Sequence, residues 1–340
     1  MAGISNPDVG DLHVNSLLTN VSIGYKPSGF FADRIWPVTN VDKQTDIIAS
    51  YDKSYWARDL GAPGAAPTGS YHMRRAPGTR ANSTGFKVDT STLTYRCINY
   101  ALGFEIADEL RSNADAVFDM DRDATLLLNT LLKLRFDREF TADFMAASGW
   151  GTDQSVTAKF SSYASSTPIE DLRTACDTIR QKTLGMSADG GVKILMGALV
   201  ERRLLDHPDI IDRIKYGASN ANPAKVTMNL LAQILDVDEI ITAKSVYTAD
   251  EEGGTAEASV TYADVLSDDI LVFWTPPTAS TLAPSAGYLF NWRPLTGGGL
   301  YFVRKGRHER ERVDWIEVHS YLDWVRTHTG SGVFLDDAVD

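Results

Sequence analysis

Between two stretches that read as β-strands, Ile47 to Tyr55 and Thr90 to Asn99, lies a run of about 35 residues that has nothing from which to build a core. Residues 61–85 read GAPGAAPTGSYHMRRAPGTRANSTG, dominated by Gly, Ala, Pro, Ser and Thr. Most connections in compact domains are far shorter, about 4–6 residues, and loops of this length serve a function or lack fixed structure. As an out-and-back hairpin of about 45 residues the segment would reach roughly 60–70 Å, at ~3.3 Å per residue. Its composition offers no apolar set to bury, so it calls for a neighbouring surface. From Tyr51 to Arg96 there are seven basic residues (Lys53, Arg58, Arg74, Arg75, Arg80, Lys87, Arg96) against Asp52, Asp59 and Asp89, a net of +4. The whole chain carries −12, which leaves −16 on the remainder. A basic arm on an acidic body is attracted to the body of another copy. Arg74, Arg75 and Arg80 are therefore expected to pair with acidic residues of an adjacent copy, with Lys53 and Trp56 in the same contact. The alternative is a solvated surface loop.

Taken whole, the 340-residue chain is ordinary for a folded protein: 43% hydrophobic, 23% charged, and long enough for about two domains. Its first residues, MAGISNPDVGDLHV, lack the basic patch and apolar core of a secretory signal. No apolar run approaches the roughly 20 residues that cross a bilayer, so no membrane partner is expected. Cys97 and Cys176 are too far apart for a CxxC pair. The acidic balance argues against a protein that coats DNA through its surface.

Residues 1–47 scatter apolar side chains among Pro27, Gly29 and Pro37 and read as an extended arm, with a short helix over Ser28 to Arg34 and Ser28 as its N-cap. An ordinary N-terminal strand and helix of a core is the other reading. Asp119 to Ala147 lacks Pro and Gly and predicts a helix of about 43 Å. Ala124, Leu127, Leu128, Leu131, Leu134, Phe140 and Phe144 form its apolar stripe, Asp115, Asp119, Asp121 and Asp123 sit at its positive end, and Gly149 follows it. Beyond residue 165 the pattern is mixed α/β. Helices are expected at Pro168–Leu184, Leu199–Leu205, Asp209–Tyr216 and Met228–Leu235, and strands at Val192–Met196, Ile240–Val246 and Ile270–Trp274. Thr248 to Ser259 is a polar, acidic loop, and Arg312–His319 and Tyr321–His328 read as strands joined near Ser320.

Signatures of catalysis are sparse. GxxxxGK[ST], GxSxG and HExxH are all missing, and TGGGLY at 296–301 reads as a turn. Asp119, Asp121 and Asp123 resemble a calcium loop, but Ala124 and Thr130 stand where it needs Gly and Glu. RHERERVDWIEVH brings His308, Glu309, Glu311, Glu317 and His319 close in sequence; on strands, Glu317 would share a face with His319, and Glu309 with Glu311. A metal-dependent hydrolase using His308, Glu309, Glu311 and His319 is the enzymatic alternative, opposed by the interleaved Arg310 and Arg312. Cys97 reads as a small buried hydrophobe rather than a nucleophile, and the seven tryptophans as packing residues. No catalytic, cofactor or metal residue is assigned.

The order of elements (arm, long basic hairpin, long helix, α/β body, returning strands) resembles the tailed-bacteriophage major capsid protein of the Hong Kong 97 type. Residues 22–56, SIGYKPSGFFADRIWPVTNVDKQTDIIASYDKSYW, are similar to that family's arm running into its extended loop. RRAPGTRA at 74–81 resembles its basic loop segment, MDRDAT at 120–125 the start of its spine helix, and LLDHPDIIDRIKYG at 204–217 part of its axial domain. The resemblance implies an α+β fold with an N-terminal arm (1–47), an extended loop hairpin (48–100), a peripheral domain with a long spine helix (101–164 and 307–340) and a mixed α/β axial domain (165–306). It implies a non-enzymatic subunit that self-assembles as pentamers and hexamers into an icosahedral head enclosing double-stranded DNA without reading its sequence. A separate scaffolding protein, a portal and a decoration protein are the implied partners. The implied location is the virion capsid, assembled in the bacterial host cytoplasm. Cross-linking through Lys53 or Lys87 is not carried over. An encapsulin-like compartment enclosing a cargo enzyme would share the fold.

Overall fold

The computed structural model describes residues 29–48, 50–51, 77–78, 80, 88–89, 93–113, 119–156, 158–217, 226–250, 259–279 and 283–340. In chain order the elements are α1 (Ala32–Ile35), β1 (Val38–Val41), β2 (Thr45–Ile47), β3 (Ser50–Tyr51), β4 (Val88–Asp89), β5 (Thr94–Arg96) and β6 (Ile98–Ala107). Next come α2 (Asp108–Asn113), α3 (Met120–Phe144), β7 (Asp153–Ser155), α4 (Pro168–Lys182), β8 (Val192–Gly197), α5 (Ala198–Leu205), α6 (Pro208–Gly217) and α7 (Met228–Leu235). The last part holds β9 (Glu239–Ala243), β10 (Val246–Thr248), β11 (Tyr262–Asp264), β12 (Ile270–Trp274), β13 (Gly287–Trp292), α8 (Arg293–Thr296), β14 (Phe302–His308), β15 (Val313–Arg326) and β16 (Gly332–Asp336).

Two five-stranded sheets organise the chain. In the first, β15 is central. β6 runs antiparallel along one edge from Val313 to Leu322; β14 and then β13 take the other, and β1 lies parallel to β13. Alternation along the strands sends Leu289, Ile316, Val318, Leu322 and Trp324 to the face covered by α3 and α1, and Tyr288, Phe290 and Val325 to the opposite face. The second sheet runs β7-β16-β12-β8-β9. Its strand ILVFW (β12) is buried at every position because both faces are covered. Leu271 and Phe273 join the core of the first sheet, while Ile270, Val272 and Trp274 face the core built with α4, α5 and α7.

The long helix is three residues shorter at its C-terminus than its composition predicts. Trp150 folds back and its indole N–H donates to the Phe144 carbonyl at 2.7 Å, closing the helix end. At the other end the Asp119 carboxylate accepts from the Arg122 N–H, the N-cap role expected of an aspartate there. The buried stripe is Ala124, Leu128, Leu132, Phe136, Phe140 and Phe144, a strict step of four. Such a ridge slants across the helix surface. The expected stripe is corrected at Leu127 and Leu131, which are 46% and 43% exposed.

Three further expectations meet the structure differently. Part of the N-terminal segment read as an arm finds its partner in its own chain: Phe31, Ala32, Ile35 and Trp36 are buried against α3, with Trp36 5.2 Å from Phe140 and 4.7 Å from Phe144, centroid to centroid. Its helix spans only Ala32–Ile35, and Phe31 at the N-cap offers no capping side chain; Ser28 lies outside the described residues. The strands expected to join near Ser320 are one continuous 14-residue strand. Ser320 is buried, pairs with Tyr100, and donates to the Leu300 carbonyl at 2.7 Å. The strand expected over Ile240–Val246 is two: β9, and the start of a separate ribbon, β10–β11.

Candidate functional site

The root of the long hairpin is built onto the back face of the first sheet. β2 pairs antiparallel with β5, and β3 with β4 one step further out, so the two ends of the loop leave the body as a ribbon. Tyr95 supplies the anchor: its ring stacks on Phe290 with centroids 4.5 Å apart and planes at 11°. Cys97 is fully buried beside it, and its N–H donates to the Gln44 carbonyl at 2.9 Å while Gln44 Nε2 donates back to the Cys97 carbonyl at 3.0 Å. Burial pushes the Cys97 thiol up to about 12, which disfavours the thiolate a nucleophile needs. The Arg96 N–H donates to Asp323 of β15 at 2.6 Å. Burial raises the Asp323 carboxyl to about 6, with Asp143 and Glu139 adding to it and the Arg96 N–H opposing it.

Of the residues predicted to make the contact, Lys53, Trp56, Arg74 and Arg75 lie outside the described residues, as do Lys87 and most of the loop. Arg80 is described and exposed. Near the root, the ten-residue edge strand β6 carries a single charged residue, Glu105, and leaves Ile98, Leu102 and Phe104 exposed. Its counterpart edge, β14, carries Arg304, Lys305, Arg307 and His308. Charge is the usual protection of a free edge, and β6 has little of it. The far end of this tongue is tied by ion pairs. Arg307 holds Asp108 (3.0 and 2.6 Å) and Asp314 (2.9 Å), and Arg111 holds Asp314 and Asp121, both at 2.7 Å. Gly306 makes room for the Trp315 indole, which a Cβ there would meet at 2.2 Å.

The residues of the hydrolase alternative do not converge. His319 pairs with Phe302, and His308 with Val313, six residues further along β15, or about 20 Å. His319 bonds Glu317 at 3.0 Å, as a shared strand face requires, but Glu309 and Glu311 lie in the β14–β15 turn rather than on a strand. Among the described residues no group of three or more His, Cys, Asp or Glu side chains is placed to hold a metal ion. Ser166 Oγ and buried His207 Nε2, 2.9 Å apart, superficially match a nucleophile and its base. The Asp209 N–H donates to His207 Nδ1, so Nε2 carries the proton and cannot accept one from Ser166. His207 is the N-cap of α6.

Sequence reading missed two residues that mount the peripheral segments: Asp323, described above, and Asp137. Asp137 sits within α3, 1% exposed, and its Oδ1 accepts from the Phe31 and Ala32 N–H groups at 3.1 and 2.9 Å. It caps α1 from 105 residues away in sequence. Only its polarity on an otherwise apolar helix face signals this role.

No family model matches the sequence. The major capsid protein of Burkholderia phage BcepMu is 24% identical over 285 residues, covering 81% of this chain and 82% of that protein. A phage-related protein of Bordetella bronchiseptica RB50 has a similar fold, with a TM-score of 0.64, 19% identity, and coverage of 96% of this chain and 97% of the other. The capsid of cyanophage P-SCSP1u gives a TM-score of 0.59 at 13% identity, covering 99% and 96%. The SrpI encapsulin of Synechococcus elongatus PCC 7942 gives 0.51 at 10% identity, covering 99% and 97%.

Proposed function

We propose that this chain, which has the Hong Kong 97-type fold of tailed-phage capsids and a phage major capsid protein as a sequence relative, is itself a major capsid protein. Its copies build the virion shell. The observation that carries this reading is the ribbon root: β2–β5 and β3–β4 launch a basic segment whose composition cannot stabilise itself. A closed shell supplies what such a segment lacks, because symmetry brings the same neighbouring surface to every copy. The exposed apolar residues of β6 and α3 (Leu102, Phe104, Leu127, Leu131) are then covered by another copy.

In finer detail, the subunits form pentamers and hexamers that close into an icosahedron around double-stranded DNA, assembled in the host cytoplasm with a separate scaffolding protein, a portal and a decoration protein. The acidic body suits a container, since a strongly basic wall would hold DNA fast during packaging. The division into arm (1–47), extended loop (48–100), peripheral domain (101–164 and 307–340) and axial domain (165–306) belongs to the same reading, with residues 31–36 of the arm packed on their own spine helix. Lys53, Trp56, Arg74, Arg75 and Arg80 contact the adjacent copy. An encapsulin-like compartment is the second reading, and the fold likeness to SrpI favours it only at the level of architecture.

Expression with the neighbouring genes tests the proposal. Megadalton particles that contain DNA support it; particles that contain a cargo enzyme support the compartment; a monomer under every condition refutes both. The triple change Arg74→Ala, Arg75→Ala, Arg80→Ala is expected to impair assembly and lower the salt resistance of any particles, with the subunit's thermal unfolding unchanged. Single changes will show little, since exposed pairs contribute about 0–1 kcal/mol each. Particles of unaltered yield and salt resistance would remove these arginines from the contact.

A further inference from the structure

We propose that His207 is an acid-operated latch on α6: its neutral ring pins the start of that helix to the turn before α4, and protonation of the ring releases α6 while the second sheet stays folded. The device lies within one subunit and does not depend on what the subunit builds. Local sequence sets it. Pro208 takes the first position of α6, where its missing N–H costs nothing, and this makes His207 the N-cap. A cap side chain accepts from a free N–H of the first turn, and the Asp209 N–H donates to His207 Nδ1 at 3.2 Å. The Ser166 hydroxyl gives its own proton to the Ser162 carbonyl at 2.9 Å, so it accepts from His207 Nε2–H, also at 2.9 Å. Both ring nitrogens are therefore committed, in opposite senses.

The His207 side chain is fully buried, with the Tyr163 ring edge-on at 5.5 Å, centroid to centroid. Ser166 and Tyr163 face it from the turn before α4, and Asp209 faces it from α6. From α5 the Leu204 carbonyl accepts the His207 backbone N–H at 3.2 Å. Asp209 is the one charged group among these, its carboxylate 3.9 Å from Nδ1 and half exposed to water. A second proton can enter the ring only at Nδ1. There it meets the Asp209 N–H, so a donor faces a donor and the first turn of α6 loses its cap. Burial holds the ring below the usual histidine range, with the Asp209 carboxylate opposing it.

Little else holds α6. Among its described side chains Ile210 alone is fully buried, whereas Asp209, Ile211, Asp212 and Arg213 are exposed. A helix of ten residues is too short to persist by itself in water. The neutral ring's contribution is whole above 6.5, the unfolded value, and is lost as pH falls through the lower folded value. The buried carboxyls of Asp137 and Asp323 run the other way, because acid removes the charge that burial penalises. One fall in pH therefore loosens α6 while it tightens the mounts of the N-terminal segment and the hairpin root.

The test is hydrogen exchange of the full-length, dissociated subunit from pH 7.5 to about 4.5, corrected for the intrinsic exchange rate. Protection in α6 is expected to fall about fivefold, the equivalent of a lost cap, while α4 keeps its own. His207→Asn retains an acceptor for the Asp209 N–H and cannot charge, so its α6 protection is expected to stay level. Nitrogen-15 spectra of the imidazoles follow the ring itself, and the signals absent from His207→Asn or His207→Gln identify it. At pH 7.5 the expected ring is neutral with its hydrogen on Nε2. Its titration midpoint is expected below 6.5, coinciding with the loss of α6 protection. Unchanged α6 protection across the range, a loss that persists in the asparagine variant, hydrogen on Nδ1, or a midpoint at or above 6.5 each overturns the latch. Both wild-type readouts decide the matter if the asparagine variant does not fold.

Discussion

Replacing Asp137 with asparagine stabilises the subunit at pH 7.5, and the gain vanishes near pH 4. Burial raises the Asp137 carboxyl to about 6, against 3.8 unfolded, with the Phe31, Ala32 and Ser245 donors only partly offsetting it. The folded state therefore binds the proton more tightly than the unfolded one. Below about pH 4 both states are protonated and there is no penalty. Between about 4 and 6 the unfolded chain ionises first, and above 6 the buried charge costs its full amount, on the order of 3 kcal/mol. Asparagine keeps an oxygen for the two N–H groups of α1 and never ionises. Its amide can also donate to Ser245 Oγ, the hydroxyl that faces the Asp137 carboxylate. Alanine instead strands two backbone donors, at about 1–3 kcal/mol for each one left buried. The expected order of thermal stability at pH 7.5 is Asn above wild type above Ala. Asp323 and Asp269 are also raised to about 6 by burial, so wild-type stability should rise from pH 7.5 to about 5.5. His207 opposes this below its unfolded value of 6.5, because burial keeps it neutral while the unfolded chain takes up a proton. Melting of the dissociated subunit across this range is the measurement. A variant no more stable than wild type at pH 7.5 would show that the Asp137 charge costs nothing where it sits.

Phe140→Ala is expected to cost about 3–5 kcal/mol, the range for emptying a well-packed aromatic site. Phe140 is fully buried and touches Phe31 at 6.1 Å, Trp36 at 5.2 Å and Phe144 at 4.9 Å, centroid to centroid. This substitution removes the centre of the floor on which residues 31–36 rest, which Phe144 continues under Trp36. Denaturant unfolding should show the loss, and hydrogen exchange should show amide protection at residues 31–36 falling before that of the second sheet. Unchanged protection there would mean that α1 is held by Asp137 and Trp36 without the aromatic cluster. The paired outcome separates the two devices that mount the N-terminal segment: a buried carboxylate and a ring stack.

Several elements were legible because their signals are local. Met228–Leu235 and Ile270–Trp274 occur as their patterns predict, and Asp119 caps the spine helix as an aspartate before an apolar-periodic run should. Other elements were not. β14, FVRKGRH, holds three charged residues and a histidine among seven and shows no alternation because it is an exposed edge. β6 runs well past Asn99, where the expected strand ends, because seven of its ten residues are exposed and its apolar side chains follow no single face. Leu127 and Leu131 looked like core in a helical wheel, since spacings of three and four are equivalent there. The sheet beneath accepts only the ridge of four.

What the linear chain determined by itself is the presence of a basic segment without a core, an acidic remainder, one long helix and a body of alternating strands and helices. Each depends on composition or on residues within a few positions of one another. Which faces those pieces share was decided only in three dimensions. Asp137 meets Phe31 across 106 residues and Asp323 meets Arg96 across 227, and the N-terminal segment and the hairpin root pack on opposite faces of one sheet. The cost of burying an unpaired N–H or a charge is set by whatever packs against it, and that neighbour is chosen by the fold rather than by proximity along the chain.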